Sequence, residues 1–577
     1  MRNKRVADQI IDFVSKTCSN NVFVLTGNGA MYLNDAIELN PDLSYVCVRN
    51  EAAAPLAAAS ENQLTGKHGV VCVTAGPGST NAFSGLAEVW VDSGSVLVIS
   101  GQVPLEEIDN YGHSEVEVRS FGIAGVPITK YTNVITKYSK LITDTNEVRG
   151  ILKKAYIELN TGRPGPVWLD IPLNIQSQVC VDFSIDELIS ECKLEIAKDT
   201  NLSIDANNIE SINALLENSK RPLILLGRGV DSIENFAEFK SWLIKSKIPF
   251  FTSRVTAHKF PISIENNFGV LGVRGRPWSS TLLKKSDLIL SLGSRFPSSI
   301  VGPNYAYLDK EVQLISVDID INEIKRHGSK VSLGINKSLA KITSLLNGFN
   351  LELINKNIES WKTEIQKVKS NFLAQSHSQA ADSPLNLYWF MSELEKYADP
   401  KTVLTTDAGS NYYAAGQSMN FEKLNYEVTS GTFAAMGLSL PLAIGASVAV
   451  KNKGGQVFCV TGDGSVELNI QELQTLSTYD LNVKVFVINN GGYASMRTWQ
   501  ETYFDGRYIG STDDTGTKPL DFFKISKAFN LDYEVIQDSK DFHDKIPLIV
   551  GTSQPMLIEV MCDGNQQLLL PMETDLV

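Results

Sequence analysis

Asp463 and Asn490 are the residues whose types and spacing point most directly to chemistry. Each follows an apolar run of strand character. Val457-Phe458-Cys459-Val460 leads into Thr461-Gly462-Asp463-Gly464-Ser465, and Val483 to Ile488 leads into Asn489-Asn490-Gly491-Gly492. Both residues thus fall at the carboxyl ends of strands, where open α/β sheets bind ligands. Gly462 and Gly464 let the backbone approach a phosphate. A helix predicted over VELNIQELQTL turns its N-terminus toward the phosphate charge. One carboxylate (Asp463), one amide oxygen (Asn490) and one free carbonyl (Gly492) suit Mg²⁺, a hard cation that shares its octahedron with phosphate and water. The spacing is 490 − 463 = 27 residues. Together the glycines, the helix start and the oxygen donors suit a phosphate-bearing ligand held through a hard cation.

Three domains are expected to position these groups, because 577 residues exceed what one core holds. Strand and helix signals alternate, as in doubly wound parallel sheets, so the fold class is α/β throughout. In a first domain, over 1–182, the strand-like runs are NVFVLTG, LSYVCVRN, HGVVCVTAG, SVLVISGQ and GPVWLDIP, with helices predicted over RVADQIIDFVSKT and EAAAPLAAASENQL. A central domain over 195–345 carries RPLILLGRGV, DLILSLGSRF and VQLISVDID. A third over 385–577 carries TVLTTDAG, QVFCVTGDG, VKVFVINNGG and PMLIEVMC. The charge-mixed stretch 183–205 reads as a linker. The first and third domains are compatible with one shared fold, although no repeat is visible residue by residue.

Composition narrows the function classes. A net charge of −13 argues against a nucleic-acid partner. No apolar run approaches membrane-span length, and Asp8 and Asp12 interrupt any signal-like segment in MRNKRVADQIIDF. The seven cysteines show no CxxC pair and several sit in strand-like runs, so they read as buried, reduced thiols in a cytoplasmic protein.

Two further segments of the first domain bear on the cofactor. Glu51 opens the Ala-rich helix after a strand; alone it reads as an acid favoured by the helix dipole. The loop Thr74-Ala75-Gly76-Pro77-Gly78-Ser79-Thr80-Asn81 makes a tight turn into a helix, with Asn81 near its start. Together with GDG…NN, the segments RNEAAA, TAGPGSTN, DSGSVLVISGQVP, RPGPVWLDIP, VDIDINEI, TTDAG, LPLAIGA, GDGSVELNIQEL and INNGGYASMRTWQ resemble the thiamine-diphosphate-dependent carboligases and decarboxylases. The chain is most similar to the catalytic subunit of acetohydroxyacid (acetolactate) synthase.

The resemblance implies a pyrimidine-binding first domain, a central domain with an optional FAD, and a diphosphate-binding third domain. It implies a homodimer or homotetramer whose active site lies at a dimer interface. Glu51 becomes the carboxylate that activates the aminopyrimidine; Gly27, Gly76, Pro77 and Asn81 belong to the pyrimidine side. Asp463, Asn490 and the Gly492 carbonyl hold Mg²⁺. Asp407-Ala408-Gly409, Gly462, Gly464 and Ser465 match the diphosphate side. Met436 matches the large apolar residue that bends the cofactor, its plain alternative being core packing. Trp499 matches a tryptophan that helps select the acceptor, its alternative being a structural aromatic. Gly227-Arg228-Gly229, Val273-Arg274-Gly275 and Asp318-Ile319-Asp320 partly match flavin-contacting stretches, which leaves FAD open.

The departures concern substrate. Where the family carries an RFDDR-like segment whose second Arg grips the acceptor ketoacid, this chain has Arg295-Phe296-Pro297-Ser298-Ser299. A Ser299 hydroxyl cannot replace a bidentate carboxylate clamp. The AFQE-like segment is replaced by NYGHSEVEV, with His113 and Glu115 as polar groups, and GQHQMW by Ala408 to Tyr413. The expected activity is decarboxylation of pyruvate or a similar 2-ketoacid, with transfer of the C2 unit to a carbonyl acceptor. The alternatives are acetolactate synthesis itself, 2-ketoacid decarboxylation or oxidation of pyruvate, and a catalytically silent subunit.

Overall fold

The computed structural model describes residues 4–112, 119–180, 182–197, 203–306, 308–376, 384–424, 426–566 and 568–569. Apolar runs bounded by polar turns become eighteen strands in three sheets. The first sheet contains Cys18–Val24 (β1), Ser44–Cys47 (β2), His68–Val73 (β3), Val96–Gln102 (β4), Tyr138–Leu141 (β5) and Val167–Pro172 (β6). The second contains Pro222–Leu226 (β7), Phe250–Thr252 (β8), Asn267–Val270 (β9), Leu288–Leu292 (β10), Gln313–Asp318 (β11) and Val331–Asn336 (β12). The third contains Val403–Thr406 (β13), Tyr426–Val428 (β14), Val457–Gly462 (β15), Val483–Asn489 (β16), Asp532–Ile536 (β17) and Met556–Met561 (β18).

The strand orders are β2-β1-β3-β4-β6-β5, β12-β11-β10-β7-β8-β9 and β14-β13-β15-β16-β18-β17. All pairings within the sheets are parallel. Renumbered from its own first strand, the third sheet repeats the order of the first. Each sheet has a central switch point, between β1 and β3, β7 and β10, and β13 and β15. Ligand crevices open at such switch points, outside the carboxyl ends of the strands.

Six helices position the site: Ala53–Thr65 (α1), Pro77–Val91 (α2), Ser410–Ser418 (α3), Ser439–Val450 (α4), Asp463–Val466 (α5) and Ala494–Phe504 (α6). Helix α4, SLPLAIGASVAV, is apolar on nearly every side and is accordingly central. It packs on the Ala-rich α1 so closely that a Cβ on Gly445 would lie 1.9 Å from the Ala57 carbonyl oxygen. One hydrophobic core therefore runs from Phe23 and Ala57 of the first domain to Ala443 and Val485 of the third. The central domain has its own core.

Two segments differ from the sequence reading. The stretch read as a linker contains the helix Ile185–Ala197, with Ile185, Leu188 and Cys192 buried against the first domain. Its charges occupy the outer face and hide an apolar stripe. The single helix predicted over VELNIQELQTL breaks into α5, a 3-10 segment Glu467–Glu472 and the helix Leu473–Thr478, with Asn469 non-helical at φ −138°. No helix among the described residues is long and apolar enough to cross a membrane.

Candidate functional site

The third-domain crevice, between β13 and β15, gathers the diphosphate-side residues. Asp463 ends up buried because β15 delivers it into the crevice mouth. Its Oδ1 accepts from the Gly464 N–H at 2.8 Å, and its Oδ2 from the N–H groups of Gly492 at 2.8 Å and Asn490 at 3.2 Å. The two loops separated by 27 residues in sequence therefore close on one carboxylate. Burial pushes the Asp463 carboxyl up from its ordinary value, and the backbone donors pull it back. Gly492, at φ +96°, needs the conformation that glycine supplies. At Gly464 a Cβ would lie 2.1 Å from the Tyr493 ring. Among the described residues no group of three His, Cys, Asp or Glu side chains could hold a metal. A cation here would take one carboxylate from Asp463 and its other protein ligands from neutral oxygens, Asn490 and Gly492 being at hand. That donor chemistry fits Mg²⁺ shared with a diphosphate.

Asp407 lies across the same crevice, fully buried at the end of β13. Its Oδ2 accepts from Ser439, Thr461 and Ser465 hydroxyls at 3.0, 2.9 and 2.7 Å, and its Oδ1 from the Asn411 amide at 3.1 Å. This carboxylate faces inward and braces the loop. What the segment turns to the crevice is the half-buried backbone of Ala408 and Gly409, the latter at φ +109° ahead of α3. Ser465 passes the bracing on: its Oγ accepts from the Gly437 N–H at 2.8 Å, while the Gly437 carbonyl accepts from the Asn469 amide at 2.8 Å. The peptide after Met436 is pinned from both sides. Met436 itself is only half-buried, which suits a side chain presented to a ligand better than one in a core.

The first-domain crevice, between β1 and β3, gathers the pyrimidine-side residues. Gly27 follows β1 and abuts Thr74, where a Cβ would lie 2.5 Å from the threonine side chain. Gly76 stands at φ +59° against the Ala124 carbonyl, and Pro77 starts α2. The Asn81 amide donates to Glu51 Oε2 at 3.1 Å. Glu51 is 8% exposed and directed at Gly78, whose Cβ position lies 3.4 Å from Oε1.

One chain does not assemble these halves into one site. Helices α1 and α4 run antiparallel, since Ala57 meets Gly445 and the Ser60 hydroxyl donates to the Leu442 carbonyl at 2.7 Å. Glu51 thus lies toward the C-terminal end of α4, and Met436–Gly437 lie beyond its N-terminal end. The separation along α1, from Glu51 to Gln63, is about 18 Å for twelve residues.

The acceptor-side residues scatter as well. Ser299 lines a cleft of about 730 Å³ between the first and central domains, and Trp499 does not. Trp499 stacks on Tyr503 along α6, with ring centroids 5.6 Å apart and planes at 13°. His113 and Glu115 lie outside the described residues. The cleft reaches neither Glu51 nor Asp463. It sits at the β7/β10 switch point, where Gly227 and Gly293 close in; a Cβ on Gly227 would meet the Gly293 carbonyl at 2.3 Å. Arg228, Arg254, Lys259, Arg274 and Arg295 line it, and Arg228 Nη1 is buried without a hydrogen-bond partner.

Three supporting residues carried no role in the sequence reading. Asn469 holds Gly437, as above. Arg497 fastens the Asn490–Gly491 loop, donating to the carbonyls of Gly491 at 2.6 Å, Asn490 at 2.6 Å and Gly564 at 3.0 Å. Glu472 accepts from the N–H groups of Arg49 at 2.9 Å and Asn50 at 3.0 Å. Arg497 and Glu472 both lie inside quoted motifs; Glu472 has its backbone partners in a distant segment and Arg497 acts on backbone carbonyls of its own motif and of Gly564, and residue spacing signals neither.

Three parallel sheets with glycine-lined switch-point crevices, one of which closes two loops on a buried aspartate, define an enzyme built around a diphosphate cofactor. The chain belongs to the thiamine pyrophosphate enzymes: the N-terminal TPP binding domain matches residues 4–143, the central domain 209–345 and the C-terminal TPP binding domain 407–560. It is 29% identical to the acetolactate synthase large subunit of Lactococcus lactis, over 95% of this chain and 91% of the relative. It is 28% identical to the chloroplastic acetolactate synthase 1 of Zea mays (99% and 87%) and 27% identical to that of Arabidopsis thaliana (99% and 83%). The molecule is a thiamine-pyrophosphate-dependent, acetolactate-synthase-like carboligase.

Proposed function

We propose that the protein decarboxylates pyruvate or a close 2-ketoacid and joins the C2 unit to a carbonyl acceptor other than a second ketoacid. The observation that carries the acceptor reading is Ser299, a neutral side chain where the related enzymes would place a guanidinium. When bound, thiamine diphosphate would supply an ionisable carbon and an electron sink for 2-ketoacid decarboxylation. Glu51, oriented by Asn81, holds a proton at the pyrimidine ring nitrogen. Asp463, Asn490 and the Gly492 carbonyl hold Mg²⁺ against the diphosphate. Met436, with Gly437 pinned by Ser465 and Asn469, would pack against the cofactor as an apolar support. Because Glu51 and Met436 lie at opposite ends of the α1–α4 pair, a complete site takes Glu51 from one chain and the Asp463–Asn490 loops from a second. A homo-oligomer is the working unit, and the seven free thiols fit a cytoplasmic setting.

The basic cleft at the β7/β10 switch point has the chemistry of a dinucleotide site, and FAD is our reading of its ligand. The glycines would leave room for a diphosphate, Arg228 and Arg274 would supply counter-charge, and Asp318 at the end of β11 would accept from a ribose hydroxyl. No step of carboligation requires its redox chemistry.

Ser299→Arg tests the acceptor reading. A charged hydrogen-bond partner is worth roughly 1.5–3 kcal/mol, or about ten- to a hundredfold in discrimination. The variant should therefore shift product partition toward acetolactate at fixed pyruvate. Efficient acetolactate formation by the wild type, unchanged in Ser299→Arg, would mean that the acceptor is gripped elsewhere and that the ketoacid acceptor is the native one.

A further inference from the structure

Glu472 lies nine residues beyond Asp463 in sequence (472 − 463 = 9) and is fully buried in the third domain. Its bonds go to the other half-site. Oε1 accepts from the N–H groups of Arg49 and Asn50, and Oε2 accepts from the Thr475 hydroxyl at 2.7 Å. Tyr479, further along the same segment, accepts from the Cys47 N–H at 2.7 Å, and Thr478 accepts from Arg49 Nη2 at 3.1 Å. Three backbone donors between Cys47 and Asn50 thus end on third-domain side chains. These donors precede Glu51, where the chain leaves β2 and turns into α1. Asn50 completes the turn by accepting from the Ala52 N–H at 2.9 Å.

We propose that Glu472 is a positioning residue for Glu51 of its own chain, and hence serves a different active site from the one its neighbour Asp463 helps to form. The inference rests on the shared-site reading above. A buried carboxylate that accepts two backbone N–H bonds is a strong, directional anchor. Removing it would leave both donors unpaired and free the turn that aims Glu51. A displacement of about 1 Å at a catalytic group costs on the order of 10²-fold. Burial pushes the Glu472 carboxyl up, whereas the Arg49 and Asn50 donors and the nearby Arg49 charge pull it down.

The assignment makes a complementation pattern that a merely structural role would not produce. Glu472→Gln, and Glu472→Ala where it folds, should retain thiamine diphosphate and Mg²⁺ but slow C2 proton exchange about 10–100-fold. Coexpressed with Asp463→Ala, Glu472→Gln should regain about a quarter of wild-type exchange, because random pairing leaves about one active site in four with an undisturbed Glu51 facing an intact Asp463. Coexpressed with Glu51→Gln it should regain nothing. The control pair, Glu51→Gln with Asp463→Ala, should also reach about a quarter. No recovery in the control overturns the shared site. Recovery in the control, with Glu472→Gln rescued by Glu51→Gln instead of by Asp463→Ala, overturns the role given to Glu472. So does wild-type exchange in the Glu472→Gln homo-oligomer.

Discussion

Glu51→Gln is expected to slow C2 proton exchange of bound thiamine diphosphate by about 10²–10⁴-fold, the usual range for a positioned acid–base group. Fold and cofactor affinity should be retained. The amide preserves the shape of the side chain and can still meet Asn81, which now donates to Glu51 Oε2. What it loses is the charge that holds a proton at the ring nitrogen. Deuterium exchange at C2, followed by NMR on the holoenzyme, checks this directly. A wild-type exchange rate in Glu51→Gln would remove Glu51 from the mechanism.

Asp463→Ala should act on binding. Asp463 is the one carboxylate on which the Gly464, Asn490 and Gly492 N–H groups converge. Its loss would remove the carboxylate proposed to hold Mg²⁺ and would free the two loops. Retention of Mg²⁺ and of thiamine diphosphate should fall together, by more than the ~10–100-fold that losing an outer partner of a metal ligand costs. Calorimetric titration of the cofactor at limiting Mg²⁺ measures this, with Glu51→Gln as a variant whose affinity should be unaltered. Equal cofactor affinity in Asp463→Ala and wild type would refute the metal site.

The parts of this molecule legible from sequence were those written in local chemistry. The central strands β3, β4, β10, β15 and β16 are dominated by apolar residues, because parallel sheets are covered on both faces. The turns Gly76–Gly78 and Gly462–Gly464 follow such runs directly. Six strands were not read: β5, β8, β9, β12, β14 and β17. They are three to six residues long, and all but β8 lie at a sheet edge, where β5 and β17 also carry charged or polar residues on partly exposed faces. Short edge strands lack the continuous apolar signature. Repetition of the first fold in the third was invisible because topology, not residue identity, is what the two sheets share.

The site shows the same division. Asp463 and Asn490 stand out by residue type at the carboxyl ends of strands, whereas Glu51 and Asn81 took their expected roles from the family resemblance. Asp407 was assigned to the diphosphate side, and its inward carboxylate became apparent only with its four side-chain donors in place. Glu472 and Asn469 act through backbone groups of distant segments and Arg497 through backbone carbonyls near and far, and a backbone N–H or carbonyl has no letter in a sequence. The antiparallel contact of α1 with α4 is likewise a property of packing. It depends on Ala57 and Gly445 being small enough for the backbones to touch, and it is what separates Glu51 from Met436 within a chain.

Product analysis from carbon-13-labelled pyruvate tests the central claim most directly. The protein is supplied with thiamine diphosphate and Mg²⁺ and offered a panel of ketoacid, aldehyde and keto-sugar acceptors. The account expects carbon dioxide release that requires both additions. The labelled C2 unit should appear in a new carbon–carbon bond, preferentially on a neutral aldehyde or ketone. Label recovered only as free acetaldehyde or acetate, with every acceptor left unmodified, would contradict it.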